Sequence, residues 1–343
     1  MKRLLFAILI IVTPFSAYYF YNKMQRAYVK VEVKPNIDKE LREKATKSYL
    51  EKHIKEALNS DNIEDAKTYL SLAKYLKVDI NSTLINKYNQ ANNPLNRHIR
   101  EAKSFIRGFI SGKSSNGYSL AGSVTSDFTF VGDIRDTYKE GKKYLNNQPY
   151  DKITLSLSVI GIALTATTIA SMGANSPVKV GTSILKSANK SRYLTRGFKE
   201  MLNKNLAKSV DLKVLKEVNF HSLKSIEKSS KKFLKSVNLK PIKALTKDLI
   251  KLKKNTSSAD AIYILKYINN QKELNRAIKL SQKYKKDTKG VLKVLGKGAL
   301  RGSKFVLKKS AKYIYYLYSF VASIVTFIIS LLCFGLCQKN YIK

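Results

Sequence analysis

Three stretches of the chain are apolar for long enough to cross a bilayer, and most of the remainder places apolar residues at helical spacing among Lys, Asn and Ser. The first stretch, Leu4 to Asn22, carries no charge and ends in Tyr18, Tyr19, Phe20 and Tyr21, an aromatic anchor of the kind found at membrane interfaces. The second, Ile153 to Pro177, is charge-free but rich in Ser and Thr. Its small residues recur every fourth position, at Ala163, Thr167 and Ser171 and again at Ala166, Ala170 and Ala174, a spacing that lets another helix approach closely. The third, Tyr313 to Leu336, is the most apolar, with Tyr313, Tyr315, Tyr316 and Tyr318 at its entry. The pattern predicts a mainly α multi-pass membrane protein with amphipathic helical hairpins outside the bilayer.

Two of these segments admit a second reading. Lys2 and Arg3 before Leu4–Val12 also describe a signal peptide, although Phe15 is bulky at the position where cleavage wants a small residue. Ile153–Pro177, because Ser and Thr abound in it, has the buried helix of a soluble domain as its alternative. The expected division is a membrane anchor or signal peptide over 1–22, a helical hairpin region over 23–116, and an apolar small-residue segment over 117–177 with a membrane helix at 153–174. A strongly basic helical region over 178–312, a transmembrane helix over 313–336 and a tail over 337–343 complete it.

The hairpins are legible from their stripes. Leu41, Ala45, Leu50, Ile54, Ala57 and Leu58 line one helix, and Ile63, Ala66, Leu70 and Ala73 line its partner. Asp61 and Glu64 have the spacing of a capping box at the second helix start. A further pair has Ile262, Leu265 and Ile268 on its first helix, a cap from Asn270 and Glu273, and Leu274, Ala277, Ile278, Ser281 and Tyr284 on its second. Two such pairs fall short of the three or more stacked units of a repeat solenoid. Residues 211–240 set Leu215, Ile226, Phe233 and Val237 among many Lys, which fits a helix lying on anionic lipid and equally a solvated helix whose stripe packs inward.

Charge refines the topology. The chain of 343 residues carries a formal charge of +40, mostly from Lys. Residues 173–312 hold 36 basic and 8 acidic residues, against 24 and 16 in residues 23–152. Lys179, Lys186 and Lys190 after the second stretch and Lys304–Lys312 before the third place residues 178–312 in the cytoplasm by the positive-inside rule. Three spans then put residues 23–152 outside, with which Lys23, Arg26 and Lys30 disagree.

Candidate chemistry is sparse. Two Cys, both near the end of the third stretch, and three scattered His leave no zinc pattern or disulfide framework, and no cofactor is expected. No phosphate-binding loop, nucleophile elbow or metalloprotease helix is present, which argues against an enzyme. The exception is residues 117–136, where Asp127, Asp133, Arg135 and Asp136 interrupt an apolar, Gly-containing run. Ionisable groups in such a setting are costly to bury and are candidates for function, with helix capping and local pairing as the plainer alternatives.

The order SDFTFVGDIRD (126–136), LSVIGIALTA (157–166), PVKVG (177–181) and ILKSA (184–188) resembles a group of uncharacterised bacterial membrane-associated proteins, in which an Asp-x-x-x-x-Gly-Asp-x-x-Asp stretch precedes an apolar Leu-Ser-x-x-Gly helix. A similar arrangement occurs in the apolar segment preceding the toxin domain of some bacterial polymorphic toxins. The resemblance covers about residues 118–190, implies a bacterial inner membrane and supplies no activity. The expected function is a non-enzymatic membrane-anchored scaffold in contact with membrane lipids, whose hairpins bind protein partners. The alternatives are anionic lipid binding by residues 178–312, with nucleic acid disfavoured because stacking aromatics are not interleaved with the Lys, and a membrane-permeabilising or toxin-related role.

Overall fold

The computed structural model describes residues 2–33, 35–94, 130–170 and 176–339. It divides the chain into two units: residues 1–35 with 302–343, and residues 36–301.

The first unit pairs the two chain ends. Helix α1 (Lys2–Arg26) leads into strand β1 (Tyr28–Val33); strand β2 (Lys304–Lys309) leads into helix α16 (Ala311–Lys339). The strands pair antiparallel, Tyr28 opposite Lys309 and Val33 opposite Lys304, and Ser310 closes the ribbon by donating its backbone N–H and its hydroxyl to the Ala27 carbonyl. The helices therefore run antiparallel beside each other. Phe20 meets Tyr316 and Tyr21 meets Phe320 near the ribbon, while Ser16 Oγ donates to Ser323 Oγ, 3.0 Å away, further along. Thr13, Ser323, Thr326 and Ser330 each donate to the carbonyl four residues earlier, so these hydroxyls are satisfied within their own helices, as an apolar solvent demands. Elsewhere the pair turns apolar side chains outward, with Phe15 73% and Tyr318 74% exposed alongside Leu4, Ile11, Ile314 and Leu332. Both helices are long and apolar enough to cross a membrane.

Among the described residues the second unit is built from α- and 3-10 helices, with one isolated bridge between Val210 and Val237. Its order among the described residues is α2 (Ile37–Lys44), α3 (Lys47–Asn59), α4 (Ile63–Leu76), α5 (Ser82–Ala91), α6 (Phe130–Leu145), α7 (Lys152–Ala170), α8 (Ser176–Lys190) and α9 (Arg196–Ser209). After a 3-10 turn at Leu212–Glu217 follow α10 (Leu223–Lys228), α11 (Ser230–Ser236), α12 (Lys240–Asn255), α13 (Ser258–Ile264), α14 (Gln271–Tyr284) and α15 (Thr288–Leu295).

Helix α7 lies at the centre of this unit. Every residue from Ile153 to Leu164 is buried, under α6, α8, α9 and α11, where the sequence pattern predicts a membrane helix at 153–174; residues 171–174 of that stretch lie outside the described residues. The apolar segment that sequence places in lipid is here covered by protein. The two arms of the chain also join into one body: Gly290 on α15 lies against Leu72 on α4, so no boundary separates residues 36–94 from the basic region after 178.

The first hairpin occurs, α3 packing on α4, with local differences. In the second stretch α13 ends at Ile264 in a 3-10 turn over Leu265–Tyr267, and α14 packs on α12 and α15 rather than on α13. The first helix breaks at Ala45, and Thr46 caps a new start at Lys47 by accepting from the Tyr49 amide. Helix α4 is capped by Asn62, whose Oδ1 accepts from the Asp65 amide, because Asp61 takes a left-handed φ of 52° in the turn; the cap is thus one residue later than the Asp61–Glu64 reading. Asn270 and Glu273 cap α14 as expected, Asn270 accepting from the Glu273 amide and Glu273 from the Asn269 amide. In residues 211–240, Leu215, Ile226 and Phe233 are fully buried, so the stripe faces the core and not a lipid surface.

A candidate functional site: the acid–lysine seam between α6 and α8

Helix α6 carries Asp133, Asp136 and Glu140 at positions i, i+3 and i+7, one face of a helix. Helix α8 carries Lys179, Lys186 and Lys190 at i, i+7 and i+11, again one face. The two ladders meet beside α7. Lys186 Nζ lies 2.5 Å from Asp133 Oδ1 and 3.2 Å from Asp136 Oδ2, and Lys190 Nζ lies 2.5 Å from the same Asp136 oxygen. Lys186 is 1% exposed and Asp133 2%, so this is a buried ion network. Arg135 points toward the rim and pairs with Asp136 Oδ1 at 3.2 Å.

The seam continues toward the start of α7. Glu140 accepts from Lys143 Nζ and from the Asp151 amide. Asp151 caps α7 through the Thr154 amide and hydroxyl, and Asn189 Nδ2 on α8 donates to Asp151 Oδ2 at 2.6 Å. One line of polar contacts therefore ties α6, α7 and α8 together along their length.

Asp133 is the unusual member. Its Oδ2 is buried without a hydrogen-bond partner and faces Gly161 of α7, where an added Cβ would lie 2.2 Å from that oxygen. The Gly of the Leu-Ser-x-x-Gly helix is thus the residue that makes room for the Asp of the Gly-Asp-x-x-Asp stretch. Further along the same antiparallel contact, Gly141 of α6 approaches Leu155 of α7, and between these two points Thr137 Oγ1 and Ser158 Oγ are also buried without a partner. Burial pushes the Asp133 carboxyl up from 3.8 to about 6, against the pull of Lys186 and Lys179. Burial pushes Asp136 up too, but Lys186, Lys190 and Arg135 outweigh it and hold that carboxyl below its ordinary range. Burial also lowers the Lys179 pKa, opposed by Asp133 and reinforced by Lys186; Lys179 donates to Thr165 Oγ1 of α7.

Of the residues singled out from sequence, the fold brings Asp133, Arg135 and Asp136 together, whereas Asp127 lies outside the described residues. Arg135 does pair locally, with its neighbour Asp136. Asp133 is no helix cap; its side chain reaches across to α8. The sequence reading missed Lys186, Lys190 and Gly161 as partners of the acids. The signal was available in the matched periods of the two helices, but the Lys were read as topology markers. Chemically, the seam is a set of buried charges that neutralise one another. Among the described residues no group of three or more His, Cys, Asp and Glu could hold a metal ion. Comparison with family models, with curated proteins and with solved structures finds no match.

Proposed function

We propose that this chain is a two-span membrane protein of the bacterial inner membrane that displays a non-enzymatic helical interaction domain, residues 36–301, in the cytoplasm. The observation that carries this reading is the antiparallel pair α1 and α16, with its apolar side chains outward, its hydroxyls internally bonded and its tyrosines gathered at the ribbon end. A water-soluble protein rarely leaves so large an apolar surface uncovered. The ribbon end carries Lys23, Arg26, Lys30, Lys308, Lys309 and Lys312, against Lys2, Arg3 and Lys339 at the far end, so the positive-inside rule sets the ribbon side in the cytoplasm. Two spans also make sense of Lys23, Arg26 and Lys30, which contradict a three-span topology. The bacterial membrane follows from the resemblance over residues 118–190.

The interaction role rests on what the helical unit does with its charge. The acids of the seam are held by lysines, Arg135 and a backbone amide, and the Asp133 oxygen left without a partner is closed in by Gly161, out of reach of a substrate. Such networks hold helices in register. The exposed faces of the hairpins remain for protein partners.

Reporter fusions after Asn93 and after Thr256 test the topology. Two spans require both reporters in the cytoplasm; reporters on opposite faces overturn the reading. Isolation in mild detergent from the native host tests the role, with a partner expected at constant ratio and a lone chain counting against it.

A further inference from the structure

Beside the seam, α6, the start of α7, the end of α8 and α9 enclose a cleft of about 580 Å3, within the roughly 300–1,000 Å3 usual for small-molecule sites. Its charge is unbalanced in a specific way. Each of its three acids is already engaged: Asp136 by Lys186, Lys190 and Arg135, Glu140 by Lys143 and the Asp151 amide, Asp151 by Thr154 and Asn189. Four cations on its wall are not. Lys139, Lys152, Arg192 and Lys199 make no side-chain hydrogen bond or ion pair among the described residues.

These four come from four separate places in the fold: the middle of α6, the first residue of α7, the turn after α8 and the first half of α9. Arg192 is set there by a left-handed backbone, φ 60°, that ends α8. Their convergence on one concave surface concentrates positive potential, and an anion would relieve their mutual repulsion. Two neutral features add shape. The Tyr150 ring, packed edge-on against Tyr144 at 5.2 Å, gives an apolar wall, and Asn203 Oδ1 is buried with no donor, an acceptor waiting for a hydroxyl or N–H.

We propose that this cleft binds a phosphate ester, as a soluble phosphorylated small molecule or as the phosphate of a lipid head group. The four cations hold the phosphate oxygens, and a hydroxyl or amine of the ligand donates to Asn203. The site goes beyond the membrane-anchored reading and does not depend on it.

The test uses the full chain in an uncharged detergent, titrated calorimetrically with sodium pyrophosphate and, separately, with short-chain phosphatidic acid. Saturable one-to-one binding of at least one probe is expected. Lys139→Gln/Lys152→Gln/Arg192→Gln/Lys199→Gln should weaken it about tenfold or more, because each substitution deletes a charge-assisted contact. Lys204→Gln/Lys208→Gln/Lys243→Gln/Lys247→Gln removes the same charge from exposed sites and should change affinity by about twofold or less, through long-range field alone. Pyrophosphate binding identifies a soluble ligand, and binding of phosphatidic acid alone identifies a lipid head group. Absence of saturable binding by either probe, or an equal loss in the two quadruple variants, overturns the proposal.

Discussion

Helices α7 and α16 are both strongly apolar, more so than α1, yet they meet opposite surroundings. Helix α7 is buried on all sides by protein from Ile153 to Leu164, while α16 contacts α1 along one side and leaves Ile314, Tyr318, Leu332 and Leu336 more than half exposed. The difference lies in what each helix brings besides hydrophobicity. Helix α7 carries Thr154, Ser156 and Ser158 among its buried residues and runs beside helices bearing matched acids and lysines; Thr154 bonds to Asp151 and Asn189, while Ser158 Oγ is buried without a partner. Helix α16 bonds Ser323, Thr326 and Ser330 back to its own backbone and, apart from Ser323 accepting from Ser16, meets α1 through apolar and aromatic side chains. An apolar run alone does not fix what surrounds a helix; the charge pattern of adjacent helices separates these two.

The sharpest way to break the comparison is to place one charge in each helix. Ile160→Asp puts a carboxylate at a site with no exposure, and the resulting loss of about 4 kcal/mol or more should leave the helical unit unfolded at ordinary temperature, read by circular dichroism and protease sensitivity. Ile328→Asp, at a half-exposed site midway along α16, should leave that unit intact in detergent and instead reduce membrane insertion, by about 3 kcal/mol on the insertion scale. If the two substitutions exchange these effects, the assignments of core helix and span are reversed.

The seam provides the next largest effect. Lys186→Met removes the cation shared by Asp133 and Asp136 and leaves two buried carboxylates with less compensation, which should destabilise the helical unit by about 3–5 kcal/mol in chemical denaturation. Combining it with Asp133→Leu removes both charges of the closest pair, and the double variant should be more stable than Lys186→Met alone. Additive losses would show that the pair contributes nothing as a pair.

The same contrast explains how much the sequence discloses. The stripes of α3, α4 and α14 place Leu50, Ile54, Ala66, Leu274 and Ile278 in the core because a solvated amphipathic helix writes its burial into its period. Helix α7 writes no such period, since it is covered all round. Its identity depended on Asp133 and Lys186, which are 53 residues apart in sequence and meet only through the fold. The ribbon was missed for a related reason. Tyr28–Val33 alternates as a strand should, but its partner, Lys304–Lys309, lies at the other end of the chain and is too short to signal by itself. Asp133 and Asp136 were legible as candidates because charges in an apolar run are conspicuous. Their lysines were hidden within a chain that carries lysine everywhere.

Protonation of Asp133 gives a pH-dependent test of the seam. Because its folded pKa, about 6, exceeds the ordinary 3.8, the folded chain binds more protons than the unfolded one between those values, and stability from this group falls as pH rises from about 4 to about 6. The rise corresponds to about 3 kcal/mol of cost above pH 6. Asp136 works in the opposite sense and in another window: its lowered pKa makes the fold lose stability as pH drops below its ordinary 3.8. Asp133→Asn should therefore flatten the stability profile between pH 4 and pH 6 and leave the acid limb below pH 4 in place. An unchanged slope between pH 4 and pH 6 would show that Asp133 is not the titrating group.

The smallest expected effect is in the hairpin, and it follows from the difference between the two apolar helices. A side-chain hydrogen bond from Ser16 to Ser323 joins α1 and α16, and Ser323 also donates to the Ser319 carbonyl, so losing the contact leaves little unsatisfied. Hydrogen bonds between helices in lipid average about 0.6 kcal/mol, because the separated helices find other partners. Ser16→Ala and Ser323→Ala should each weaken pairing of the helices by that amount or less in a detergent-denaturation assay. A buried hydroxyl bond in the helical unit, such as Ser281 Oγ accepting from Asn255 Nδ2, should cost about 1–3 kcal/mol when Ser281 is replaced by Ala, because the Asn255 amide then loses its acceptor in a protein core. Equal costs at the two places would mean that the α1–α16 contact is packed in protein like a core, and that the outward apolar surface of the pair is covered by something other than lipid.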